Sequence, residues 1–251
     1  MAMRKFIFRQ MFEHVSSTYT YLLGCANTKE AVIIDPVIEM VDRDINIIQQ
    51  LGLKLRYAGN THAHADHVTG TSELRKLIPE CRTFIGKRSG AIADLLLTDG
   101  DEIKFGNYSI KALCTPGHTN GCMTFVCHQE RMAFTGDALL IRGCGRTDFQ
   151  EGDAAKLYDS VHSKILSLPK DYLLFPGHDY KGLLATSVEE EQKYNPRLTL
   201  PLQSFVQVMN NLNLSKPKQI EKAVPANMVD GDVTKMEEKL RKVVEETAKI
   251  H

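Results

Sequence analysis

The sequence has no excess of either charge, no long apolar run, no long polar run and no paired cysteine motif, and each absence removes a class of protein. Lys plus Arg and Asp plus Glu both number 31, and no basic stripe is interleaved with aromatics. Nothing therefore marks a nucleic-acid or anionic-membrane surface. No stretch of about 18 apolar residues is present to span a bilayer. The first dozen residues lack the apolar region and cleavage site of a signal peptide, although Arg4, Lys5 and Arg9 give them an acid-poor look reminiscent of a short transit peptide. The six cysteines, Cys25, Cys81, Cys114, Cys122, Cys127 and Cys144, form no CxxC pair. They read as reduced thiols of an intracellular protein. What remains is a chain of 251 residues, 43% hydrophobic and 25% charged, with the composition of an ordinary globular protein and small-molecule chemistry as its expected business.

The apolar runs Tyr19 to Cys25 and Ala31 to Pro36 flank a polar interval suited to a hairpin. A helical period follows over Ile38 to Leu51, a short strand over Arg56 to Thr61, and a second helix over Val68 to Ile78 that Pro79 ends. Short strands are expected at Thr83 to Ile85, Glu102 to Phe105, Ser109 to Cys114, Met123 to Cys127 and Arg131 to Thr135. A helix over Asp153 to Leu166, a buried strand over Tyr172 to Phe175, and helices over Ser187 to Tyr194 and Leu200 to Leu212 complete the pattern. Strands and helices alternate twice. Two sheet-plus-helix halves packed face to face would bury the apolar side of each sheet. The residues predict a single domain over 1–228 and an amphipathic helical extension over 229–251, with Val233, Met236, Leu240, Val243 and Val244 on one face.

Chemistry concentrates at Thr61-His62-Ala63-His64-Ala65-Asp66-His67, which puts four potential metal ligands into six residues of a strand-to-helix loop. Thr115-Pro116-Gly117-His118-Thr119, Thr135-Gly136-Asp137 and Pro176-Gly177-His178-Asp179 repeat the theme, each an apolar run ended by a ligand-type side chain beside glycine. Loops at strand ends thus deliver imidazoles and carboxylates toward one place.

HxHxDH followed in order by His118, Asp137 and His178 resembles the metallo-β-lactamase superfamily. The resemblance implies an α/β fold, the αββα four-layer sandwich, with a metal site at one edge between the sheets. That superfamily includes two-zinc hydrolases, flavoprotein reductases and mononuclear iron dioxygenases, so finer features must choose the reaction. Leu140-Ile141-Arg142-Gly143-Cys144-Gly145-Arg146-Thr147-Asp148-Phe149-Gln150 is similar to the persulfide dioxygenase (sulfur dioxygenase) family. So are Tyr19 to Gly24, Gly177 to Tyr180, Asn195 to Thr199 and Ala223 to Met228. Glyoxalase II, a relative, is expected to carry Phe-Phe-Glu-Gly where Thr147 to Gln150 stand here, and a longer C-terminal region.

The resemblance implies one Fe(II) per chain on His62, His118 and Asp137, a facial triad of two histidines and a carboxylate that leaves positions for substrate sulfur and dioxygen. The implied reaction takes glutathione persulfide, oxygen and water to sulfite and glutathione. Arg146, Tyr180 and, more weakly, Arg197 are the residues expected to hold the glutathione portion. For Arg146 the competing use is a structural ion pair with Asp148. His64, Asp66, His67 and His178 become groups that orient ligands and solvent; in the alternative, a Zn(II) glutathione thioester hydrolase, they are ligands of a second ion. Cys144 is expected to pack in its Gly-rich loop, the rival role being a reactive thiol. No nucleic-acid or membrane partner is implied, a homodimer is compatible with the family, and the mitochondrial matrix is the compartment the resemblance implies, with the cytoplasm as the alternative.

Overall fold

A computed structural model describes residues 5–236. The chain enters through an antiparallel meander, β1 (Phe6–Glu13), β2 (Thr18–Cys25) and β3 (Glu30–Ile34). Helix α1 (Val41–Gln50) then leads to β4 (Lys54–Gly59), and α2 (Thr71–Leu77) to β5 (Arg82–Gly86) and the short β6 (Leu95–Leu97). Strands β3 to β6 pair in parallel, with α1 and α2 as the first two crossovers and a short connection carrying the 3-10 turn Lys87–Ser89 as the third. The first sheet therefore has the order β1-β2-β3-β4-β5-β6.

The second sheet comprises β7 (Glu102–Phe105), β8 (Tyr108–Cys114), β9 (Met123–Cys127), β10 (Met132–Gly136), β11 (Leu173–Pro176) and β12 (Thr186–Ser187), in the order β12-β11-β10-β9-β8-β7. All its pairs are antiparallel except β10 with β11, joined through α3 (Ala154–Ser160) and the π-helical turn Val161–Ile165 that continues it. Helices α4 (Val188–Tyr194), α5 (Leu202–Asn210) and α6 (Ile220–Asn227) follow.

Why β2 reads as an unbroken apolar run is visible in its packing. Tyr21 and Leu23 point into the core between the sheets, with Phe84, Phe105, Phe125, Phe134 and Phe175. Leu22, between them, points outward against Val41, Ile48 and Leu74 of the two helices that cover that face. A strand buried on both sides gains from apolar residues at every position, so the two-residue alternation disappears. The second sheet is covered likewise: Val126, Ala133 and Leu174 meet Leu157, Val161, Phe205 and Met209. Four layers result, helix, sheet, sheet, helix, which is the αββα sandwich expected.

The sequence-derived elements recur with ends moved by a few residues, and four strands and helices are additional. β1 lies in a segment marked by its basic residues, β6 is three residues long, β12 is two, and α6 contains Pro225. The expected helix from Asp232 onward falls mostly on residues 237–251, outside the described residues. Of the part described, Val229, Val233 and Met236 pack with Val68, Ile38 and Ala226, and residues Val233–Lys235 form a single 3-10 turn.

Candidate metal centre

The site lies where strands of both sheets end. β4 runs into Asn60 and the HxHxDH loop, β8 into His118, β10 into Asp137 and β11 into His178. Backbone conformation at these ends is exacting. Gly136 has φ +51°, and a Cβ there would come within 2.6 Å of the Thr61 hydroxyl. At Gly145 a Cβ would sit 2.8 Å from the His118 ring and 2.5 Å from the Asp137 carbonyl. Glycine lets the loop after Asp137 close over the imidazole.

His62, His118 and Asp137 form one group whose donor atoms all lie within 4.8 Å of one another, and His64, Asp66, His67 and His178 form a second. In the first, hydrogen bonds fix which atoms face the centre. The Thr61 N–H and hydroxyl donate to the two carboxylate oxygens of Asp35 (2.7 and 2.9 Å), so Thr61 Oγ1 accepts from His62 Nδ1 at 3.0 Å. His118 Nδ1 donates to the carbonyl of Arg146 at 2.6 Å. Both rings are thereby held in the tautomer that offers the Nε2 lone pair, an arrangement in which an outer partner sets the orientation and basicity of a ligating histidine. Burial, reinforced by the neighbouring imidazoles, holds His62 well below its usual pKa, so it is neutral and ready to ligate.

Asp137 Oδ1 accepts from His178 Nδ1 at 2.7 Å, while Oδ2 stands 3.7 Å from His118 Nε2. That separation is too long for a hydrogen bond and suits two atoms that share a third partner between them. Burial pushes the Asp137 carboxyl up, but His178, His118 and His62 outweigh it and keep it ionised. Two imidazoles and a carboxylate fit a divalent metal ion. The His118 and Asp137 side chains are 13% and 12% exposed, so the centre is reachable from solvent.

The second group is arranged differently. His178 bonds through both nitrogens, Nδ1 to Asp137 and Nε2 to Asp66 Oδ2 at 2.9 Å. Two carboxylate acceptors require two N–H donors, so His178 is an imidazolium, and although burial opposes the charge, Asp137 and Asp66 raise its pKa well above the ordinary value. His67 Nδ1 also meets Asp66 Oδ2 at 2.9 Å, and His64 Nε2 meets Asp35 at 3.1 Å. Two buried nitrogens, His64 Nδ1 and His67 Nε2, have no partner among the described residues.

Two of the expected substrate residues are occupied elsewhere. The Arg146 guanidinium grips Asp148 with Nε and Nη2 (2.6 and 2.7 Å), donates to the carbonyls of Ser215 and Leu214, and stacks on Phe149. The structural ion pair is thus the contact formed, and it is the backbone carbonyl of Arg146 that reaches the site. Arg197 donates to the Cys144 carbonyl at 3.3 Å. Tyr180 is 73% exposed, its ring nearly parallel to that of His178 with centroids 6.3 Å apart. Cys144 is buried against Met209, and burial pushes its thiol up to about 11, which suits packing rather than reactivity.

Three residues that build the site were not singled out from the sequence. Thr18 touches Asp66, His67 and His178. Asp35, fully buried with φ +53°, anchors Thr61 and His64. Asn227, on α6, donates to the carbonyls of His64 and His67 (both 2.8 Å) and accepts from the Thr69 N–H at 2.8 Å, pinning the loop. Only Asp35 left a sequence signal, a carboxylate closing an apolar run before proline.

Comparison with known proteins agrees with this geometry. The family model described as the metallo-beta-lactamase superfamily matches residues 15–82 and 88–178. The mouse (Mus musculus) protein named persulfide dioxygenase ETHE1, mitochondrial, is 59% identical over 222 residues, which cover 88% of this chain and 87% of the relative. The crystal structure of ETHE1 from Myxococcus xanthus superposes with a TM-score of 0.87 at 45% identity, covering 90% of this chain and 99% of that one. A probable hydroxyacylglutathione hydrolase of Schizosaccharomyces pombe is more distant, 33% identical over 180 residues and covering 68% of this chain and 67% of its own. The chain therefore belongs to the metallo-β-lactamase superfamily and, within it, to the persulfide dioxygenase family.

Proposed function

We propose that this enzyme is an iron-dependent persulfide dioxygenase that converts glutathione persulfide, dioxygen and water to sulfite and glutathione. The observation that carries the reading is the asymmetry of the two ligand groups. His62, His118 and Asp137 present free donor atoms to a common centre, whereas Asp66 and His178 are closed on each other. This asymmetry supports one ion, held by the first group; in the second group His64 Nδ1 and His67 Nε2 are the donor atoms left unpartnered among the described residues.

Fe(II) bound by His62, His118 and Asp137, one per chain, would supply the redox chemistry that lets ground-state dioxygen react with sulfur, which side chains alone cannot do. The chain's own residues position it. Thr61 and the Arg146 carbonyl hold the two imidazoles as Nε2 donors, and His178 keeps one oxygen of Asp137 engaged so that the other faces the centre. His64, Asp66, His67 and His178 orient these ligands and the surrounding solvent. Tyr180, exposed at the rim, is the first candidate to receive the glutathione portion. Arg146 and Arg197 contribute by fixing the 142–148 loop around it, and Arg146 retains one unused N–H for a carboxylate.

The matrix of the mitochondrion is the proposed compartment, supported by the names of the close relatives. No helix among the described residues is long and apolar enough to cross a membrane. We assign residues 1–228 as the catalytic domain, with 229–251 as an extension to it, and a homodimer as the assembly to be tested by sedimentation.

The second reading, a two-zinc glutathione thioester hydrolase, rests on the four clustered donors of His64, Asp66, His67 and His178 and on the hydrolase relatives. Elemental analysis combined with oxygen uptake on glutathione persulfide separates the two. About one iron per chain with stoichiometric sulfite supports the dioxygenase. Two zincs with thioesterase activity and no oxygen uptake would overturn it.

A further inference from the structure

We propose that Gln150 is a positioning residue that sets the spacing of His62 and His118 before an ion arrives; the inference rests on the ligand set His62, His118 and Asp137 proposed above. The two histidines come from different sheets, His62 from the loop after β4 and His118 from the loop after β8. Their rings stand edge to face with centroids 4.9 Å apart. Gln150 belongs to a third loop, the one that carries Asp137 away from the end of β10. Its side-chain Nε2 donates to the carbonyl of Ala63 at 2.7 Å, and its own carbonyl accepts the Asn120 N–H at 3.3 Å. One residue thus bridges the two ligand-bearing arms.

The rest of this loop is fastened to the His118 arm. The Arg146 carbonyl holds the His118 ring, Asn120 Nδ2 donates to Glu151 Oε2 at 3.2 Å, and the Asp153 N–H donates to the Gly117 carbonyl at 2.8 Å. The Gln150 amide carries that arm across to the chain of His62. On the other side of His62 the Thr61 carbonyl accepts from the Met123 N–H of β9 at 2.8 Å, so the carbonyls that flank His62 in the sequence are both tied to the second sheet or its loops. The bridge is held against a local cost. Gln150 and Glu151 are consecutive non-glycine residues in the left-handed region, with φ +49° and +59°. Such a pair persists only where surrounding contacts over-determine it, and the bonds of Gln150, Glu151 and Asp153 supply those contacts. Without the amide, the ion-free arms would sample a wider range of spacings, and an ion would have to order them as it binds. Affinity at the first position should then fall by about tenfold, the lower end of what loss of a supporting hydrogen bond costs a metal site.

The test is a titration of chelator-stripped full-length protein with Co(II) under anaerobic conditions, read by visible absorption and by equilibrium dialysis with metal analysis. The ion lost on His62→Ala marks the first position. Q150M keeps the bulk of the side chain and loses the donor, whereas Q150G loses the donor and accepts the positive φ. Both should bind the first ion about tenfold more weakly than wild type, with an altered visible spectrum. Metal-free Q150G should nevertheless melt close to wild type, because relief of the left-handed conformation offsets the lost bond. Q150E, of the same shape but without the N–H donor, replaces Q150M if circular dichroism shows Q150M to be misfolded. First-ion affinity in Q150M or its replacement within about twofold of wild type would overturn the role of the amide, whatever Q150G does. A Q150G variant that loses stability and affinity together would assign Gln150 to the fold instead. Co(II) binding that His62→Ala leaves unchanged would overturn the ligand set itself.

Discussion

Asp35 offers the sharpest test of how the fold builds the site, because two separable costs meet in one residue. Its backbone is left-handed at φ +53° and its side chain is wholly buried. The carboxylate accepts the Thr61 N–H, the Thr61 hydroxyl and His64 Nε2 at 2.7, 2.9 and 3.1 Å. Asp35→Ala removes all three bonds and strands a buried N–H and an imidazole. Leaving buried partners of a charged group unsatisfied is expected to destabilise the metal-free protein by about 3–5 kcal/mol. Asp35→Gly removes the same bonds but accepts the positive φ, so it should be more stable than the alanine variant by ~1 kcal/mol. Urea denaturation of chelator-treated protein gives both numbers, and Co(II) titration adds a third. With Thr61 unanchored, His62 loses its fixed tautomer, and affinity at the first position should fall by about 10- to 100-fold. A loss below about 1 kcal/mol in Asp35→Ala, or alanine and glycine variants of equal stability, would refute the argued roles of the carboxylate and of the backbone conformation.

Other consequences are more direct. His62→Ala should abolish iron retention and sulfite formation, and chelation of the wild type should do the same while far-ultraviolet circular dichroism stays native, because a core this large does not depend on one ion; retained activity in either case would discard the ligand assignment. Tyr180→Ala should raise KM for glutathione persulfide by about fivefold, as expected for loss of one aromatic contact of ~1 kcal/mol, with an unchanged Tm. Arg146→Ala and Asp148→Ala should each lower stability by about 1 kcal/mol and be strongly non-additive in the double variant, the signature of a partly exposed pair; additive effects would mean that the two act separately. Burial of Asp44, opposed by Arg43, raises its carboxyl pKa to about 6. Since the folded state prefers the protonated acid, its contribution is fully present below about pH 4 and is lost as pH rises through about 6, by up to ~3 kcal/mol. Wild type should therefore lose stability relative to Asp44→Asn across that window, and denaturation curves of the pair at several pH values check the sign.

The four layers could be read from the chain because hydrophobic period reports burial on one face or two, and β2, β10 and α1 obey it closely. β1 escaped because only Phe6, Met11 and Glu13 of its eight residues are buried, so its edge position blurs the alternation. α6 escaped because Pro225 lies within it, and proline argues against a helix interior. At the site, the ligand-type side chains were visible as residue types at strand ends, since only a few residue types bind metal. Their supports were not. Thr18 lies 48 residues from Asp66 and 160 from His178, and Asn227 lies 163 from His64. A threonine or an asparagine carries no mark of a partner that distant. Arg146 shows the converse: its chemistry invited a substrate role, but Asp148 two residues on had first claim on the guanidinium.

The grip of Asn227 on the HxHxDH loop has a consequence for how the protein is made. The loop's own residues emerge early from the ribosome, yet the amide that fixes the His64 and His67 carbonyls is synthesised some 160 residues later. The loop therefore reaches its final shape only after α6 has been translated and docked, and nascent chains released before residue 227 should load metal poorly however well their sheets have formed.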